Sequence, residues 1–166
     1  MFREDYILRL IEQVTAAIGE ILGLKRLGQY PQALAEIDRA LGRFLGLNLS
    51  LVSALPAAEL VALTRWGEKL DVGKLVVLAD LLQAEGDIYV AQGQNGQAAT
   101  SFLKALELLL EVAFDAEPNL AAVAPRVAAL HQRLVGNEMP ADLGEWLAHY
   151  QATLAALPSG PVPAGE

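Results

Sequence analysis

The chain has 166 residues, long enough for one domain with a sound hydrophobic core. Hydrophobic residues make up 54% of it, Ala and Leu dominate and β-branched residues are sparse, a balance that favours an all-α fold. It holds no cysteine, which excludes disulfides, thiolate chemistry and Cys-based zinc sites; its formal net charge of −8 without a basic cluster argues against nucleic acid and anionic membranes as partners.

Residues 3–27 read as one long helix, with Glu4 and Asp5 in its first turn and Lys25 and Arg26 in its last, each suited to the helix dipole. Tyr6, Leu10, Val14, Ile18, Ile21 and Leu24 form one apolar side, widened by Ile7, Leu8, Ile11 and Leu22, so this helix needs cover on more than one side. Gly19 and Gly23 mark a place where another helix would cross closely. Pro31 begins a second helix to about Leu47, burying Leu34, Ile37, Leu41, Phe44 and Leu45. Residues 48–55 read as a loop or short helical turn. Pro56 starts a short helix through Trp66 with Leu60, Leu63 and Trp66 inward.

Asp71 is a plausible N-cap for a helix from Val72 to about Gln92. Gln97 to Phe114 has the cleanest pattern. Its polar residues Gln97, Thr100, Lys104, Glu107, Glu111 and Asp115 make a single stripe, so this is the most buried helix expected. Pro118 restarts a helix, Pro125 breaks or kinks it, and the continuation ends at Gly136-Asn137. Pro140 opens a last helix carrying Leu143, Trp146, Leu147, Tyr150 and Leu154. The count is about seven helices over residues 1–157, followed by a Pro/Gly-rich tail, 158–166, expected to be disordered.

No apolar run approaches the roughly 18–20 residues of a membrane span. The opening MFREDYILRL carries two early acids and lacks a signal-peptide layout, which points to a cytoplasmic protein.

The stretch LQAEGDIYVAQGQNGQAATSFLKAL, residues 82–106, carries the strongest internal spacing. Leu82, Gly86, Tyr89, Ala98 and Phe102 fall at places of the pattern W-x2-L-G-x2-Y followed by A-x3-F, and Glu85 departs from its Leu. Gly86 and Ala98 let two backbones approach while Tyr89 and Phe102 fill the space beside them. Gly93 and Gly96 bracket the turn, where glycine tolerates positive φ. A weaker copy lies upstream, where Gly28-Gln-Tyr-Pro-Gln-Ala33 is followed by Ile37 and Ala40. These residues resemble tetratricopeptide-repeat hairpins, and the resemblance implies antiparallel helical pairs stacked as an α-α superhelix. The opening MFREDYILRLIEQ, with LKRLGQYPQALAEIDRAL and LVVLADLLQAEGDIYVAQGQ, also resembles an uncharacterised bacterial family described only as a domain of unknown function. That likeness spans about residues 1–115 and implies no activity.

No phosphate-binding G-x4-G-K-[ST] loop is present; Gly93-Gln-Asn-Gly96 is a turn. Glu145 and His149 are four apart on one helix, but a metal site needs more ligands. Asp80 and Asp87 lie two turns apart with no nucleophile or His beside them, so acid–base work is not expected. No catalytic residue, metal or cofactor is assigned. Arg3, Asp5, Tyr6 and Arg9 form a dense polar-aromatic patch, read either as a salt-bridged helix start or as an interaction surface. The expected function is a non-enzymatic scaffold that holds a protein or peptide in a groove lined by Lys25, Asp80, Gln83 and Asp87. The alternative is a regulatory domain with a small-ligand cavity between the first helix and the helices 72–92 and 97–114. The apolar first and last helices are explained either by a homodimer or by a compact monomer whose extra helices cap both ends.

Overall fold

The protein is described here from a computed structural model, which describes residues 2–158, with side chains from residue 5 onward. The side chain of Arg3 in the polar-aromatic patch and residues 159–166 of the expected tail lie outside what is described. Among the described residues there are nine α-helices and no strand. They are α1 (Phe2–Arg26), α2 (Tyr30–Leu45), α3 (Leu49–Ala54), α4 (Ala57–Thr64), α5 (Val72–Ala91), α6 (Asn95–Asp115), α7 (Glu117–Ala122), α8 (Ala124–Arg133) and α9 (Ala141–Ala156).

Nine replaces the expected seven for two local reasons. Residues 49–54 are a true helical turn because the Asn48 side chain accepts the Leu51 backbone N–H at 2.8 Å and caps it. The stretch 117–133 is two helices because Pro125 sits in the first turn of α8 and lacks the N–H that would continue α7.

The centre of the molecule is the pair α5 and α6, which pack against each other more extensively than any other two helices. Asp71 caps α5 as expected, accepting the Lys74 N–H at 3.1 Å. The pair is joined through Gly93, whose φ of 76° allows the Gln94 N–H to reach back to the Tyr89 carbonyl at 2.8 Å. Gly28, at φ 73°, does the same between α1 and α2, with Gln29 N–H on the Leu24 carbonyl. Gly96 is not part of the turn: it lies in the first turn of α6, one residue after Asn95 has entered the helix.

The small residues act where the helices touch. Ala98, Phe102 and Ala105 on α6 are buried, as are Ala33, Ile37 and Ala40 on α2. The Phe102 ring lies against Gly86, where an added Cβ would stand 2.4 Å from Phe102 Cε1. A second close approach is at Gly73, whose added Cβ would meet Ile7 of α1 at 3.1 Å. The expected crossing at Gly19 and Gly23 does not occur. Nothing lies within 4 Å of a Cβ built at either, since the buried residues of α1, such as Leu10, Val14 and Ile21, turn another side of it toward its neighbours.

α1 and α2 pack on α5, while α4, α7, α8 and α9 pack on α6. α5, with its first turns also covered, buries more residues than α6, which reverses the expected order. The short helix α4 presents Ala57, Leu60, Val61 and Thr64 to the core, leaving Leu63 56% and Trp66 79% exposed, contrary to the expectation for both. The helix ends at Thr64, and the chain then turns through Gly67 in a tight bridge between Trp66 and Lys69 that carries the indole outward.

The last helix is covered within the chain. Leu143, Leu147 and Tyr150 are buried, and the Tyr150 hydroxyl donates to the Leu120 carbonyl at 2.6 Å. Phe114 stacks on His149 at 5.2 Å and on Trp146 at 6.4 Å. Asn119 Nδ2 donates to the Val112 carbonyl, serving one of the acceptors that the end of α6 leaves open.

Candidate functional site

Asp80, Gln83 and Asp87 project from successive turns of α5, spaced three, four and seven residues apart, and so share one face. They line a cleft of about 240 Å³ with Ile18 and Leu22 of α1, Ala84 of α5 and Arg133 of α8. The floor is α5 and the walls are α1 and α8. The α1 wall is aliphatic and the α8 wall is ionic. Lys25, half-buried near the end of α1, is not among the residues that line this cleft.

Both carboxylates are paired. Arg126 reaches Asp80 through Nε at 2.9 Å and through Nη2 at 3.1 Å. Arg133 reaches Asp87 through Nε at 2.8 Å and Nη2 at 3.0 Å, with its guanidinium 6.0 Å from the Phe102 ring centroid. Each is a two-point fork, a geometry the planar guanidinium holds rigidly. The charges in the cleft are thus fixed in position instead of swinging free. Arg126 and Arg133 were missed in the sequence. Their seven-residue spacing on α8 repeats that of Asp80 and Asp87, and that matching spacing was the available signal.

Among the described side chains of the N-terminal patch, only Tyr6 joins a wider feature. It lines a recess of about 410 Å³ with Ile7, Leu70, Val72, Asp71 and Asp115. A neighbouring depression adds Trp66 and Lys74. Asp5 and Arg9 are exposed and form no ion pair among the described residues.

The polar group most at odds with its surroundings is Glu85. It stands on α5 where the hairpin pattern has an apolar residue, and it is only 3% exposed. Ser101 Oγ of α6 donates to its Oε1 at 2.5 Å, while Oε2 is buried without a hydrogen-bond partner among the described residues. Burial pushes the Glu85 carboxyl above its ordinary value, against the opposing pull of the Ser101 hydrogen bond and the Lys104 charge. Lys104, half-buried on the same side, donates through Nζ to the Val52 carbonyl at 2.8 Å and the Ser53 carbonyl at 3.3 Å, closing the end of α3. Burial lowers its ammonium, with Glu85 and Glu107 pulling the other way. For both partners the loss of water outweighs their mutual attraction. The phenol of Tyr89 is likewise raised, by burial first and by Glu85 second.

Among the described residues, no cluster of three or more His, Cys, Asp or Glu side chains is placed to hold a metal, and no helix is long and apolar enough to cross a membrane. No protein-family model, curated protein or solved structure matches this chain.

Proposed function

We infer that this protein is a non-enzymatic interaction scaffold, built on tetratricopeptide-like helical hairpins, that holds a segment of another protein in the cleft between α1, α5 and α8. The observation that carries this reading is the two-sided character of the cleft. Ile18 and Leu22 supply an aliphatic wall, and the forked pairs Asp80–Arg126 and Asp87–Arg133 supply fixed charge of both signs along the other. An amphipathic helix with an apolar stripe and a flanking polar stripe matches such a surface. The repeated use of Ala33, Ile37, Ala40 and of Ala98, Phe102, Ala105 as buried faces supports the hairpin reading.

The test is a site-resolved capture. The full chain and its Leu22→Glu variant serve as baits in parallel, and Glu59→Lys, on the exposed side of α4, controls for a general change of charge. A specific partner is retained by the wild type and by Glu59→Lys and lost with Leu22→Glu. Equal retention by all three, or by none, contradicts the reading.

A further inference from the structure

Trp66 and Tyr6, 79% and 54% exposed, are the most exposed aromatic side chains among those described, and they stand on one surface. Tyr6 and Asp71 line both the recess of about 410 Å³ at the first turns of α1 and α5 and the neighbouring depression of Trp66 and Lys74, so the two are continuous. Ile7, Leu70 and Val72 give the recess an apolar lining. The turn that carries the indole is braced. Trp66 N–H donates to the Lys69 carbonyl at 2.9 Å, and Lys69 N–H donates back at 3.1 Å. Arg65 Nη1 adds a bond to the Glu68 carbonyl at 3.2 Å. An indole held in water on a fixed turn, beside an exposed phenol, has the composition of a binding hot spot. Because the turn is already ordered, little entropy is left to lose when a partner meets it.

Charge complementarity narrows the partner's chemistry. The recess carries Glu68, Asp71 and Asp115 against one ammonium, that of Lys69. Lys74 lines the depression and not the recess. Asp71 already accepts the Lys74 backbone N–H, while Glu68 and Asp115 form no ion pair among the described residues. A cation therefore suits the recess and an anion does not. Rings beside carboxylates select among cations. A guanidinium stacks flat on an aromatic face and forks onto a carboxylate, whereas an ammonium is a strongly hydrated point charge. We propose that this surface docks an arginine-bearing peptide segment of another protein. Its guanidinium enters the recess against Tyr6, with Glu68 and Asp115 as acceptors, and an adjoining apolar side chain rests on Trp66. The surface shares no lining residue with the α1–α8 cleft, so either can fail alone.

Titration of the full chain with the blocked dipeptide acetyl-leucyl-arginine amide, followed by amide and indole N–H shifts, tests this. Its lysine and citrulline versions are the comparisons, since citrulline keeps the shape of arginine without the charge. With the arginine peptide, the Trp66 indole and residues 6, 7, 68–72 and 115 shift together and saturate in the millimolar range or tighter. The half-buried Trp146 indole, on α9, stays still. The citrulline version binds about tenfold more weakly, and the lysine version also binds more weakly than arginine. Trp66→Ala and Asp115→Asn each weaken the arginine peptide by about threefold or more. Both positions are exposed, and the wild-type titration stands by itself if either variant does not fold. Absent shifts or shifts confined elsewhere, citrulline or lysine binding as tightly as arginine, or undiminished binding by folded Trp66→Ala or Asp115→Asn each overturns the proposal. So does a Trp66 indole signal that moves with protein concentration alone, because that face then joins two copies of the chain.

Discussion

Glu85 links stability to ionisation. Its folded carboxyl is raised above the ordinary 4.5 by burial. The folded chain therefore holds a proton that the unfolded chain has already released, and stability falls as pH rises from 4.5 through the folded value. Glu85→Gln has no proton to lose. It is expected to be more stable than the wild type at neutral pH, with the gap closing as the pH drops into the carboxylate range. Urea melts of both proteins across that range measure it, and a gap that widens toward acid contradicts it. Glycine positions sort the same way by surroundings. Gly86→Ala drives a methyl into the Phe102 ring and is expected to cost about 1–3 kcal/mol, because that ring is enclosed between the helices and Arg133. Gly19→Ala and Gly23→Ala meet open space on a helix and are expected to stabilise by about 0.5–1 kcal/mol each. Thermal melts of the three variants decide whether close packing or helix propensity governs each site.

At the scale of an element, α8 is held to the rest in two ways. Val127 and Leu130 are buried, and Arg126 and Arg133 fork onto α5. Each pair is partly exposed, with side-chain accessibilities between 18% and 33%, so each contributes only about 0.2–1 kcal/mol. The larger consequence of removing them is local. In the Asp80→Asn/Asp87→Asn double variant, amide hydrogen exchange is expected to rise over residues 124–133 while residues 98–113 stay protected, because the α6 core keeps its own apolar contacts. Uniform loss of protection would show that the ion pairs govern the whole fold.

For the whole molecule, the question is how two strongly apolar terminal helices are covered. α1 buries Leu10, Val14 and Ile21 with α2 and α5 alongside, and α9 buries Leu143, Leu147 and Tyr150 with α6 and α7 alongside. Much of each apolar side thus finds cover inside one chain, while Tyr6 and Leu8 of α1 stay exposed. Sedimentation equilibrium is expected to return the 17.7 kDa of a monomer. A mass of twice that value would mean that the remaining exposed apolar residues, Trp66 and Tyr6 among them, join copies together. The exposed indole of Trp66 is outside the core, and Trp66→Phe is expected to change stability by less than about 0.5 kcal/mol in urea melts.

The helical class, the Asp71 cap, the break before Pro125 and the meeting of Gly86 with Phe102 were all legible in the order of residues. These follow from rules that act over a few residues, such as backbone freedom, proline's missing donor and the 3.6-residue period. It misplaced Leu63 and Trp66 because the inward side of a helix of eight residues depends on what packs against it. It saw Asp80 and Asp87 as a stripe without their arginines, which lie 46 residues further along the chain. Glu85 was visible only as a departure from a pattern. That it is buried beside a lysine tied to carbonyls 51 and 52 residues away was decided by how α3 settles on the central hairpin. Such pairings depend on packing between distant segments, on which local spacing has no hold.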